Sequence, residues 1–256
     1  MSDEVEFDHI APVYDETRRP PTVEEVEVLV ELLAGCRTVL DAGVGTGRFA
    51  VPLGAHQFEV VGVDLSLGMM QRARGKGITR LVRADVLHLP FADHALDAAF
   101  MAHVLQLIAD PRPALRELGR VARTAVVLQL PDWSGRGPSG VWRQVGARYR
   151  ALAAELGYPL PPRGERHWHT LEELSAIAPP KVIRILTGPE PTERSWEKML
   201  DRWETRAFGT RRIPPEVHAE ILRRIREEFP VPPSPAPRPR TARFLAWQPR
   251  TLEELP

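Results

Sequence analysis

Five apolar runs of strand length, 38–42, 59–64, 80–85, 96–101 and 125–130, alternate with helix signals through the first half of this chain. That alternation restricts the fold more than any other feature. Near-continuous apolar strands are those buried on both faces, and strands separated by helical segments pair in parallel through right-handed crossovers. The expectation is an α/β domain with a mostly parallel sheet and helices on both faces. The helix starts are marked chemically. Thr22 with Glu25 forms a capping box ahead of an apolar stripe at Val23, Val26, Leu29, Val30 and Leu33, and Gly35 stops that helix. A second helix runs from about Arg48 to Ala55, Ser66 caps a third through Arg74, and Asp110-Pro111 reads as an N-cap with proline at the first helical position.

After Pro131 the rhythm breaks. A helix is expected from about Val141 to Leu156, then a proline-rich loop at 159–163, then a second capping box, Thr170 with Glu173. Lys181–Leu186 reads as strand six. Two further helices follow, one carrying Trp196, Leu200, Trp203 and Ala207, the other Val217, Ile221, Ile225 and Phe229. The proline run 230–239 reads as an extended connector, and Arg243–Gln248 as the seventh strand, closing the sheet. A length of 256 residues suits one such domain with insertions. The expected organisation is a single domain over 1–256, with a ligand-binding core at 36–132 and cap insertions at 133–180 and 187–240.

The first strand ends in Asp41-Ala-Gly-Val-Gly-Thr-Gly47, three glycines at alternate positions leading into a helix. Glycines there let a ligand lie against backbone amides at the helix start, although a tight turn between core elements needs them for geometry alone. The spacing D-x-G-x-G-x-G differs from the G-x-G-x-x-G that seats a dinucleotide pyrophosphate. Two more acids stand at strand ends, Asp64 after the second strand and Asp85 after the third. In nucleoside-binding α/β folds a carboxylate at the end of the second strand accepts hydrogen bonds from the ribose hydroxyls, and ligands bind along that edge of the sheet. Asp85 with the Val86 amide is placed to reach an adenine edge.

The order and spacing of 39–130 resemble the class I S-adenosylmethionine-dependent methyltransferases, in the small-molecule branch that contains the ubiquinone and menaquinone biosynthetic enzymes. The opening Phe7-Asp-His-Ile-Ala-Pro-Val-Tyr-Asp15, with Arg18 and Arg19, is similar to that branch as well. The resemblance implies a Rossmann-like methyltransferase fold with a seven-stranded sheet and helical cap insertions, and S-adenosyl-L-methionine as methyl donor. It also implies roles. Asp41, Ala42, Gly43, Gly45 and Gly47 would hold the methionine moiety and sugar, Asp64 the ribose, Leu65 and Met69 the adenine face, and Asp85 with Val86 its edge. Met101, Ala102 and His103 would lie under the sulfonium, and Tyr14 with Arg18 or Arg19 would approach the methionine carboxylate.

The implied chemistry is in-line displacement at a methyl carbon, where fixing both reactants contributes ~7–11 kcal/mol and a general base is optional. His103, just after strand four, is the candidate catalytic residue. Asp132 and Trp133 are plausible pocket residues. The acceptor is expected to be a small molecule, and the five tryptophans at 133, 142, 168, 196 and 203 suit either an aromatic pocket or helix cores. Nucleic-acid methylation is the first alternative. Against it, Ala102-His-Val-Leu105 stands where base-amino methylation favours Asn/Asp-Pro-Pro-aromatic, and 34 basic residues balance 34 acidic ones. A second alternative is a non-catalytic binder of the same nucleoside.

The single Cys36 excludes an intrachain disulfide and a multi-cysteine metal site, and it precedes the first strand, away from the ligand edge. It reads as a structural thiol. His167 and His169 alone are a weak metal signal, so no metal is expected. No apolar run is long enough to cross a bilayer, and the acidic start lacks a signal peptide's pattern, which makes the cytoplasm the expected compartment.

Overall fold

A computed structural model describes residues 7–8, 10–17, 20–130, 140–160, 167, 169–188, 213–229 and 240–256. Seven strands form one sheet: β1 (Thr38–Ala42), β2 (Glu59–Asp64), β3 (Leu81–Arg83), β4 (Leu96–Ala102), β5 (Ala122–Leu130), β6 (Val182–Gly188) and β7 (Arg240–Trp247). Their spatial order is β3-β2-β1-β4-β5-β7-β6. β1 to β5 pair in parallel, while β7 runs antiparallel to both β5 and β6. The last strand is therefore inserted inside the sheet, and β6 takes the edge. Insertion gives β7 two partners. Its core residues Phe244 and Leu245 are fully buried, whereas β6 keeps Ile183 and Ile185 in solvent.

The helices are α1 (Tyr14–Thr17), α2 (Val23–Leu32), α3 (Ala50–Ala55), α4 (Leu67–Gly75), α5 (Arg112–Val121), α6 (Gly140–Glu155), α7 (Leu171–Ile177), α8 (Pro215–Glu228) and α9 (Pro249–Glu253). Both capping boxes form as the sequence indicated, at Thr22 with Glu25 and at Thr170 with Glu173. Ser66 caps α4 by accepting from the Met69 amide at 3.1 Å. Three local expectations shift. α3 starts two residues later than expected, because 46–49 stay in the turn. β3 ends at Arg83, which leaves Asp85 in the following turn. At α5 the capping residue is Pro111, and Asp110 instead receives the Arg112 amide at 3.1 Å.

Strand alternation splits the apolar side chains between two cores. Leu40, Ala99, Met101, Leu128 and Leu245 face α5, α7 and α9, while Val39, Phe100, Val127 and Phe244 face α2 and α3. A third, separate core joins α6 to α8 through Val145, Tyr149, Leu152, Ile221, Leu222 and Ile225. The bidentate pair of Arg148 with Glu228 closes one side of it. The expected helix around Trp196 and Trp203, the proline run 230–239, and Arg18, Arg19, Asp132, Trp133 and Trp168 all lie outside the described residues.

Candidate functional site: a nucleoside cleft at the strand crossover

The strand order reverses between β1 and β4, each of which leads its chain away to a different side, and in sheets of this kind the crevice above the C-terminal ends of such strands is where ligands bind. The two loops that leave these strands touch. A Cβ built on Gly43, which has φ +80°, meets Val104 Cγ2 at 2.1 Å. Only a residue without a side chain fits under the loop that follows β4, and it also suits that left-handed backbone. Gly45 has φ +54° and its missing Cβ points into open space. Its bare backbone therefore faces the crevice.

The turn is stitched to the end of β2. The Gly43 and Val44 amides donate to the Val63 carbonyl at 2.7 and 2.8 Å. The Gly45 amide donates to Asp64 Oδ2 at 2.8 Å and the Ser66 amide to Oδ1 at 2.9 Å. A carboxylate offers about four lone-pair directions, so the Asp64 oxygens retain capacity for a diol. Burial raises the Asp64 carboxyl above its ordinary range, against the pull of the Ser66, Gly45 and Leu65 amides, and the Asp8 charge raises it further. Asp41 lies deeper. It is 3 % exposed, and burial together with the Asp64 charge pushes its carboxyl up to about 7, opposed by the Ala50 amide and Arg48. Two carboxyls in each other's field make a slot whose electrostatics favour a cation.

The remaining expected residues fall into two groups. Leu65 is exposed at the mouth of the crevice, and Asp85 closes its own turn by accepting the Leu87 amide at Oδ1, 2.9 Å. Ala102 ends β4 and His103 follows it, at φ 58° and with its carbonyl receiving Gln106 Nε2 at 2.7 Å. A left-handed backbone on a non-glycine residue costs ~1–2 kcal/mol, a strain that recurs at functional sites. By contrast Met69, Val86 and Met101 are buried, at 2 %, 8 % and 1 % exposure. Met101 packs in the α5-side core and Met69 beneath Ile10 and Ala11, so these two side chains face protein.

Several residues that sequence reasoning left unassigned complete the crevice. Asp8 Oδ1 accepts from the Ser66 hydroxyl at 2.5 Å and the Gly68 amide at 2.8 Å. Asp15 accepts from the Thr46 hydroxyl at 2.6 Å and pairs with Lys76 at 2.7 Å. Both acids were visible in the opening segment, but no local pattern says what a carboxylate there will meet. A cavity of about 650 Å³ flanks the outer side of the turn, touching Tyr14, Asp15, Thr46, Gly47 and Lys76. The three strand-end acids do not line it, so it adjoins the crevice without being it. Above the β4 loop, the His167 amide donates to the Gln106 carbonyl at 2.9 Å, and His169 Nε2–H donates to the Ile108 carbonyl at 2.8 Å. Cys36 is half-buried at the opposite end of β1, where burial and the Asp97 charge raise its thiol.

A doubly wound sheet with an acidic, glycine-lined crevice at its crossover defines a nucleoside-binding α/β protein of the Rossmann-like class. The comparisons with known proteins take this one step further. Residues 40–128 match the family model described as a methyltransferase domain. A demethylmenaquinone methyltransferase of Roseiflexus sp. (strain RS-1) is 36 % identical over 191 residues, covering 67 % of this chain and 80 % of that protein. One from Paenarthrobacter aurescens (strain TC1) is 33 % identical over 162 residues, 58 % of this chain, and the match spans 62 % of its length. Among solved structures, a putative methyltransferase from an antibiotic biosynthesis pathway of Anabaena variabilis shares the fold at TM-score 0.59 and 15 % identity, over 90 % of this chain and 98 % of the other. The chain belongs to the class I S-adenosylmethionine-dependent methyltransferases and resembles the ubiquinone and menaquinone group among them. Its cofactor is S-adenosylmethionine.

Proposed function

We propose that this protein transfers the methyl group of S-adenosylmethionine to a small planar acceptor, with a demethylated quinone of the kind in its relatives' names as the first compound to assay. One observation carries the donor placement. The Gly43–Gly47 turn, Asp41 and Asp64 meet at the crossover of the sheet, and the Gly45 amide already bonds the Asp64 carboxylate that would take the ribose. The methionine end then lies along Gly43 and Gly45 toward Tyr14, and the adenine lies between Leu65 and Asp85. Buried Met69, Val86 and Met101 shape the walls from behind, through packing and backbone. Asp41 and Asp64 supply the negative field that a sulfonium and an ammonium need.

His103, held just after β4, is the residue proposed to take a proton from the acceptor. For a hydroquinone acceptor, removal of a phenolic proton raises electron density at the ring carbon that attacks the methyl group, the methyl–sulfur bond breaks and the donor leaves as neutral S-adenosylhomocysteine, and loss of the hydrogen on the attacking carbon as a proton, with return of a proton to the oxygen, restores the aromatic ring. The α6–α8 pair, with its own core, and His167 and His169, which bond the loop after β4, are proposed as part of the cap over that acceptor. Incubation with labelled S-adenosylmethionine and reduced demethylmenaquinone analogues, read by S-adenosylhomocysteine release, tests the proposal. Turnover on some planar phenols and none on nucleic acid is the expected result; label transfer confined to RNA would defeat it.

A further inference from the structure

Two carboxylates outside the strand-end triad, Asp8 and Asp15, fasten the N-terminal segment across the crevice at both of its walls. Asp8 bonds the start of α4, through the Ser66 hydroxyl and the Gly68 amide. Asp15 bonds the glycine turn itself, through the Thr46 hydroxyl at 2.6 Å, and pairs with Arg72 in the last turn of α4 at 3.7 Å and with Lys76 just after it at 2.7 Å. Thr46 and Ser66 are both 1 % exposed, so each hydroxyl is committed to its carboxylate with little competition from water. Between the two anchor points, Ile10 and Ala11 pack on Met69, and Phe7 stands edge-on to Tyr14 with ring centroids 6.3 Å apart. Lys76, Arg72 and the Thr46 hydroxyl hold the Asp15 carboxyl below its usual range against the opposing effect of burial. It therefore stays charged across the physiological range.

From this geometry we infer that Asp15, with Asp8, is a positioning residue for the methyl donor: its bond to Thr46 ties the segment bearing Tyr14 to the turn that seats the donor, so donor exchange requires the tie to open. The inference rests on the donor site proposed above. It assigns Asp15 no contact with the donor. Its effect passes through Tyr14 on one side and Thr46 on the other. A bond between a buried hydroxyl and a charged carboxylate is among the stronger single contacts, so losing it should accelerate exchange by about tenfold or more.

The test compares the intact protein with Asp15→Ala, Thr46→Val, the double variant and Thr46→Ser. S-Adenosylhomocysteine dissociation is followed by stopped flow, and hydrogen exchange of the 10–17 amides is followed alongside. Each single variant should release the ligand about tenfold faster, with faster exchange at 10–17 and a melting temperature close to the parent's. The double variant should be no worse than Asp15→Ala alone, because that single already removes the bond that Thr46→Val removes, along with the Lys76 and Arg72 pairs, and Thr46→Ser should restore the parent rate. Additive effects in the double variant, or unchanged dissociation rates where the parent binds the ligand, would overturn the positioning role alone. Failure of the parent to bind S-adenosylhomocysteine would instead overturn the donor site, and the positioning role with it.

Discussion

At the residue scale the crevice is governed by its acids. The Asp41 carboxyl, ordinarily near 3.8, is pushed up to about 7 by burial and by Asp64. The folded, ligand-free protein therefore holds a proton there that the unfolded chain has already lost. That contribution to stability is complete below about pH 4 and disappears as pH rises through about 7. Asp41→Asn should accordingly melt higher than the parent at pH 8 without ligand, by on the order of 5 °C, a shift expected from about 2 kcal/mol in a chain of this length. Calorimetric scans at pH 4, 6 and 8 check it, since the difference should be small at pH 4 and grow as pH rises toward about 7. Binding a cationic donor favours the ionised form, so affinity should tighten about tenfold between pH 6 and 8 by titration calorimetry, and the Asn variant should lose that slope. Asp64→Ala should weaken donor binding by ~1.5–3 kcal/mol, the range for bonds to a charged group. Because Asp64 also receives the Gly45 and Ser66 amides, some of that loss will come from a loosened turn. For His103, replacement by Gln should lower kcat by about 10²–10⁴ with donor affinity unchanged, if it serves as base; equal activity of the variant would remove it from the mechanism.

At the element scale the decisive contact lies between two loops. Gly43 and Val104 follow different strands, 61 positions apart in sequence, and meet where β1 and β4 pair. Gly43→Ala should destabilise the turn through that overlap, and Val104→Ala in the same chain should recover much of the lost stability. Chemical denaturation of the two singles and the double gives the coupling, with 0.5–3 kcal/mol expected for groups in contact. Element identity was legible beforehand wherever capping chemistry and periodicity agreed, as in α2, α4 and α7. It was less so at β3, where an apolar start continues into Arg83-Ala-Asp85 and pairing with β2 stops at Arg83. Strand ends are decided by the partner strand, which a local window does not contain.

At the scale of the whole molecule, the two faces of the sheet carry two of the apolar cores, and α6 shares the third with α8. Tyr149 Oη and His218 Nδ1 form a hydrogen bond inside that third core, and Ile221 is fully buried beside them. Ile221→Ala should cost ~2–5 kcal/mol locally. On the reading of these helices as a cap, donor affinity should stay at the parental value while the acceptor KM rises. Parallel calorimetry with S-adenosylhomocysteine and steady-state assay with a working acceptor distinguish this from general unfolding. Among the described residues no helix is long and apolar enough to cross a membrane.

The alternating apolar runs and the capping boxes were sufficient by themselves to determine an α/β sheet and its parallel half, and D-x-G-x-G-x-G was sufficient to propose where a nucleoside would sit. Periodicity, capping and glycine spacing are local properties, and each has a local physical cause. The placement of β7 inside the sheet was left to tertiary structure, because an apolar strand pairs equally well at an edge until the neighbouring strands claim it. So were the inward packing of Met69 and Met101, the meeting of Gly43 with Val104, and the three partners of Asp15, Thr46, Arg72 and Lys76. Each depends on groups far apart in sequence, and only closure of the sheet brings them within the few ångströms over which packing and hydrogen bonding act.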